Sequence, residues 1–278
     1  MIRWDQRSSN GGRVLVDAHV HIHRCFDTAA LLGRAADNFR CAVLPSGAKP
    51  QVTGVLLLAE ASGMDRFQDL KRKEGEPSLN GWEVRSTADE EALIVTRGHD
   101  RLVVVAGFQV TTAERLEVLA LATRSRIADG MPWLETIRRV SETGAITVLA
   151  WGFGKWWFHR GALVHDALES GRLNGMFLGD NGGRARLGRR PALFALAERT
   201  GVNILAGSDP LPFGHEIDRV GSYGSIVKGK LDMQTPARSL KRLLVDAGAA
   251  PKTFGRLQAL PGFLGCQARL RLPRKSRD

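Results

Sequence analysis

Asp17, His19, His21 and His23 occupy alternate positions in the stretch VLVDAHVHIH, Val14 to His23, behind a run of apolar residues. In an extended strand alternate side chains share a face, so these four would line one side. Three of the chain's seven histidines fall within five residues, just where a buried strand would be ending. Neutral imidazole is the commonest protein ligand for a divalent metal, and His-x-His on a strand brings two nitrogens to one point. A core has no packing reason to collect three imidazoles in one line. Other polar residues follow apolar runs in the same way: Glu60, Gln109, Lys155, Asp180 with Asn181, and Asp209. Imidazoles and carboxylates together suit one or two ions of zinc, manganese or iron. Such a metal would lower the pKa of bound water and supply hydroxide near neutral pH. Asp209 would either ligate the metal or accept the proton from the attacking water; the plainer alternative is a turn former in Gly-Ser-Asp-Pro.

The elements that must position these residues follow a repeating beat of apolar strand, loop and helix. Strands are expected at Val14–His23, Val52–Ala59, Leu102–Phe108, Ile146–Trp151, Gly175–Leu178 and Val202–Ala206, with a weaker one at Ser222–Val227. Helices are expected over 27–40, 63–73, 133–143, 161–170, 191–200 and 236–247. A further helix is expected in ERLEVLALATRSRI, residues 114–127, capped by Thr111 or Thr112. Residues 82–97 read as an inserted β-hairpin. About seven such strands, with polar residues past their C-terminal ends, point to an α/β fold: a distorted TIM-type barrel of parallel strands or a doubly wound sheet. The barrel is the expectation adopted. It would form a single domain over 1–265, followed by a basic tail at 266–278. No nucleotide-binding glycine motif follows the first strand.

Composition narrows the function classes. The 278 residues suffice for one large core, and no apolar run reaches the roughly 20 residues that span a membrane. The N-terminus has no apolar segment of the kind that directs secretion. Three scattered cysteines, Cys25, Cys41 and Cys266, argue against a disulfide framework and for a reducing, cytoplasmic compartment. The net charge of +11 favours an anionic small substrate; nucleic acid is a less favoured partner. The final twelve residues, QARLRLPRKSRD, set five Lys/Arg against one Asp and read as a solvated end.

VDAHVHIH with the later ILAGSDP resembles the metal-dependent hydrolases of the amidohydrolase superfamily and the related PHP (polymerase and histidinol phosphatase) domain. VVVAGFQVTT resembles the PHP strand ending in Gly-x-Glu, LEVLAL its His-x-Leu segment, and GAITVLAWG its segment ending in Ala-His-Pro. The resemblance implies a (β/α) barrel, of seven strands in PHP, and a bound metal cluster. It carries His19, His21 and Asp209 over as ligands. It also shows departures: Gln109 stands in a glutamate's place, Glu117 and Trp151 in histidines' places, and Leu211 where a histidine would end the last motif. Glu60 and Glu117 are then candidate replacement ligands, and a one- or two-metal site replaces the family's three.

Trp151, Trp156 and Trp157 place half of the six tryptophans within seven residues, beside Lys155. They would form either a flat aromatic wall for a sugar or base or plain packing. Lys155 is a candidate anion clamp, or a carboxylated bridging lysine as in some amidohydrolases. Asn181 and Arg184, in GDNGGR, are candidates for holding an anion; a Gly-rich turn explains them equally well. The function expected is metal-dependent hydrolysis of an anionic substrate, a phosphoester ahead of an amide. The alternative is a degenerate barrel that binds or regulates.

Overall fold

The computed structural model describes residues 12–43, 53–76, 79–245 and 250–271. The loop at 44–50 and the last seven residues of the basic tail therefore lie outside the described residues. β1 (Arg13–Val20) pairs in parallel with β2 (Thr53–Leu58), and β2 with β5 (Asp100–Val105). β3 (Glu83–Ser86) and β4 (Ala92–Arg97) form an antiparallel hairpin that extends this sheet beyond β5. β11 (Tyr223–Lys228) and β12 (Lys252–Gly255) extend it antiparallel on the other side of β1. A second sheet holds β6 (Gly107–Thr111), β7 (Glu117–Leu121), β8 (Ile146–Ala150), β9 (Phe177–Asn181) and β10 (Asn203–Gly207), each beside the next.

The α/β class holds, but the expected TIM-type barrel of about seven parallel strands does not form. The strands make two mixed sheets, of seven and five. Residues 114–127 explain the difference. Instead of the expected helix they carry β7, which runs antiparallel to both β6 and β8. Only five residues separate β6 from β7, whereas a parallel return needs a crossover of about a dozen or more. All of Val118 to Leu121 is buried, Leu119 and Leu121 against the core between the sheets and Val118 and Ala120 on the opposite face. A strand buried on both faces reads as a continuous apolar run, which periodicity cannot separate from a buried helix.

Helices cover both outer faces. α1 (Thr28–Val43) and α2 (Arg66–Lys71) pack on the seven-stranded sheet through Leu31, Leu32, Phe39, Phe67 and Leu70. Asp27 caps α1, accepting the Ala30 N–H at 2.7 Å. α3 (Trp133–Glu142), α4 (His159–Glu169) and α5 (Ala192–Arg199) pack on the other sheet. α6 (Pro236–Val245) adds Ala237, Leu240 and Leu244 to the core between the sheets. α7 (Leu260–Arg271), not expected from the sequence, takes in the first part of the basic C-terminal stretch. Among the described residues, no helix is long and apolar enough to cross a membrane.

The two sheets meet at isolated contacts beside the ends of β1 and β2. Glu60 bridges to Phe108, and the Asp209 N–H donates to the His19 carbonyl at 2.8 Å. Gly207 makes the second approach close: a Cβ there would stand 2.3 Å from the His19 nitrogen and 2.5 Å from its Cβ. Gly207→Ala is therefore expected to cost about 1–3 kcal/mol of stability and to weaken metal binding with it. Urea denaturation and metal titration of the variant check both effects.

Candidate metal centre

The strand that carries the histidines is not regular. β1 has one extra residue relative to β2 between Asp17 and Val20. Leu15 faces α1, Val16 and Ala18 face the core between the sheets, and Val20 is back on the α1 side. A bulge of this kind re-aims the side chains beyond it. The single face expected for Asp17, His19, His21 and His23 is thus broken into three roles.

His19 and His21 converge. Their Nε2 atoms lie 3.1 Å apart, and the Asp209 Oδ1 stands 3.6 Å from the first and 3.4 Å from the second. The Gln109 Oε1 is 3.2 Å from the His19 Nε2. One ring N–H can satisfy only one of these neighbours. Ligand atoms on an ion at about 2.0–2.1 Å, however, sit about 3.0–3.4 Å from one another. The donor set therefore fits one divalent ion, with two imidazole nitrogens, one carboxylate and one amide oxygen. A single carboxylate suits one ion better than a cluster, whose charge would go uncompensated.

Asp17 builds this arrangement from behind. Fully buried, it accepts the backbone N–H groups of Ser208 at 2.7 Å, Gly221 at 2.8 Å and His19 at 3.3 Å. It thereby joins β1 to the turn that carries Asp209. Burial pushes its carboxyl up to about 6, against the pull of these donors. His23 turns aside and donates to the Pro210 carbonyl at 2.8 Å.

Electrostatics favours the metal-binding forms of two of these candidate ligands, His19 and Asp209. Burial pushes the His19 imidazole down to about 4, with Asp209 partly offsetting it, so the ring is neutral at physiological pH. Burial alone would raise the Asp209 carboxyl, but His19, His21 and Lys155 outweigh it and hold the group well below the usual carboxylate range. Its other oxygen accepts the side-chain amide of Asn181. The Asp209 backbone is in the left-handed region, at φ 47°, a strain that Asp tolerates better than most residues and that recurs at functional sites.

The remaining candidates fall around this cluster in different ways. Lys155 pairs with Glu117; burial lowers its ammonium, with Asp209 partly offsetting the shift. Glu60 accepts the N–H groups of Arg66 at 2.8 Å and Phe67 at 2.7 Å, capping α2. Neither Glu60 nor Glu117 belongs to the His19–His21–Asp209 group. Arg184 is buried in a two-bond pair with Asp180, at 3.1 and 3.0 Å, and Asp180 also accepts the Tyr223 hydroxyl at 2.6 Å. Its guanidinium is spent inside the protein, and the lone tyrosine that completes the set is too distant in sequence to have been paired with it. Trp151 borders both a cleft of about 40 Å³ beside Asp209 and a neighbouring cavity of about 620 Å³. Trp156 and Arg184 line the larger space. Phe263, Cys266 and Gln267 of α7 also line the smaller cleft; α7 was the part of the site with no sequence signal.

Gln109→Glu would place a second carboxylate beside the ion and is expected to tighten zinc or manganese binding tenfold or more, about 1.4 kcal/mol after screening. Calorimetric titration checks it; unchanged affinity would mean that residue 109 does not face the ion.

No family model matches the chain, and no curated protein matches it. Solved structures do. PsfC from Pseudomonas syringae PB-5123 superposes with a TM-score of 0.57 at 19% identity, over 93% of this chain and 98% of PsfC. The lesion-specific endonuclease PfuEndoQ from Pyrococcus furiosus superposes at 0.50 with 11% identity, over 87% of this chain. The match covers 58% of the endonuclease chain. At these identities what is shared is the fold.

Proposed function

We propose that this chain is a metal-dependent hydrolase of the PHP and amidohydrolase kind, in which His19, His21 and Asp209 hold one divalent ion and the substrate is an anionic phosphoester. The observation that carries the reading is the convergence of three ligand atoms, each 3.1–3.6 Å from the others, at the junction of the two sheets. A bound divalent ion would supply Lewis acidity there, polarising a phosphoryl oxygen and acidifying a water. The chain's own residues divide the remaining work. Asp209, held far below neutrality, stays a carboxylate and serves as ligand rather than as proton acceptor. Asn181 fixes its orientation. Lys155, aimed by Glu117, offers positive charge to the incoming anion. The remainder of the substrate enters the cavity walled by Trp151 and Trp156. The fold shared with a lesion-specific endonuclease supports phosphodiesters as the first class to try, and nucleic acid as one form of that class. All three cysteines are free, which suits a reducing, cytoplasmic setting.

The test is a screen of phosphomonoesters and phosphodiesters on the full chain loaded with zinc or manganese, beside chelated protein and Asp209→Asn. Turnover that needs the metal and is lost in Asp209→Asn is expected. Gln109 and Trp151, standing where the resembling family has ligands, favour a second reading, a binding protein without turnover. Ligand binding that is indifferent to chelation, with no hydrolysis, would establish that reading and overturn the first.

A further inference from the structure

A second group of side chains able to ligate a metal does not include His19, His21 or Asp209 and, through Cys266, borders the Asp209 cleft. His215 and Glu216 come from the 3-10 helix Gly214–Arg219, and Cys266 from α7. The Glu216 side chain is almost wholly buried, and so is Cys266. The partners of its Oε1 stand at 3.4 Å (Cys266 Sγ), 3.5 Å (Gln258 Nε2) and 3.7 Å (His215 Nε2). Charge-assisted hydrogen bonds to a carboxylate run at about 2.7–2.9 Å, and a buried carboxylate oxygen without such a bond is costly. Here the Cys266 thiol donates to Oε1 at an ordinary S–H···O length, the Gln258 amide reaches it only weakly, and the His215 nitrogen stands beyond hydrogen-bond reach. The Cys266 and His215 separations, 3.4 and 3.7 Å, with His215 and Cys266 within 4.8 Å of each other, lie near the edges of a tetrahedral zinc site, where bonds of about 2.3 Å to sulfur and 2.0–2.2 Å to nitrogen or oxygen put the ligands about 3.4–3.6 Å apart.

We propose that His215, Glu216 and Cys266 form a second, zinc-class site that clasps α7 over the mouth of the first. Imidazole, carboxylate and thiolate together select zinc over the harder magnesium or calcium. Binding releases the Cys266 proton to solvent. His215 is half exposed, so the fourth position opens to water. The other oxygen of Glu216 accepts the Leu211 N–H at 3.2 Å, two residues beyond Asp209, while Arg219 stands 3.5 Å from it. An ion here would therefore link α7, whose Phe263 and Gln267 line the Asp209 cleft, to the segment leaving Asp209. The site is independent of the proposed hydrolase activity and does not need it.

Cobalt substitution of the full chain tests the proposal. A thiolate-to-cobalt charge-transfer absorption in the near ultraviolet is expected in the wild type, in Cys25→Ser/Cys41→Ser and in His19→Ala, and is expected to vanish in Cys266→Ser. Its absence from the wild type, or its survival in Cys266→Ser, would overturn the site. Because the first site has no sulfur, loss of metal there cannot mimic either result. Should Cys266→Ser misfold, alkylation of unmutated protein decides: zinc is expected to slow labelling of Cys266 at least tenfold, and equal rates with zinc and with chelator would refute the clasp.

Discussion

On the proposed hydrolase reading, alanine at His19 is expected to abolish divalent-metal binding at the first site and to reduce hydrolysis about a thousandfold or more, roughly 4 kcal/mol of transition-state stabilisation. The ring's Nε2 is the one atom that neighbours His21, Gln109 and Asp209 together, so no other ligand can substitute for its position. The same variant carries a pH signature in metal-free protein. The folded His19 sheds its proton near pH 4 instead of 6.5, so between these values the unfolded chain binds more protons. The stability contributed by neutral His19 is complete above pH 6.5 and is lost as the pH falls through 4. The stability difference between wild type and variant should therefore grow by roughly 3 kcal/mol from pH 4 to 7. Urea denaturation in chelator at a series of pH values measures it, and a difference independent of pH would mean that His19 is not a buried neutral ring.

The second large effect lies behind the ligands. Asp17→Ala would leave the buried N–H groups of Ser208 and Gly221, and the weaker contact of His19, without their acceptor. At about 1–3 kcal/mol for each orphaned donor, a loss of about 3 kcal/mol or more is expected. Because Ser208 precedes Asp209, the loss should appear in metal affinity as well as in the denaturation midpoint. Asp17→Asn, which keeps one accepting oxygen, should recover part of both. A variant that melts earlier but binds metal as tightly as wild type would show that Asp17 supports the fold without positioning the site.

Much of the candidate site was legible because the side chains that converge in it are concentrated in two short motifs. His19 and His21 share a strand end, and Asp209 follows the apolar run VNILA, which reads as a strand. Gln109 was visible as a departure from a glutamate pattern, and the structure places it against His19. What escaped was whatever depended on pairing distant segments. The β1 bulge, which separates Asp17 from the histidines, arises from its register with β2. The β7 segment reads as a helix in sequence because both of its faces are buried and Glu, Leu and Ala favour helices locally; its antiparallel pairing is what replaces the expected barrel with two mixed sheets. α7 has little amphipathic pattern of its own, and its place over the site depends on Phe263 meeting Phe153, with ring centroids 5.0 Å apart. The sequence leaves Arg184 open between an anion contact and a Gly-rich turn because its partners, Asp180 and Tyr223, meet it only in the folded chain.

The most direct test of the central claim is anomalous diffraction from crystals of the full wild-type chain grown with manganese or zinc. The expected result is a metal peak within about 2.0–2.3 Å of His19 Nε2, His21 Nε2 and a carboxylate oxygen of Asp209. A map with no metal at these three residues, at concentrations that saturate the protein in solution, would contradict it.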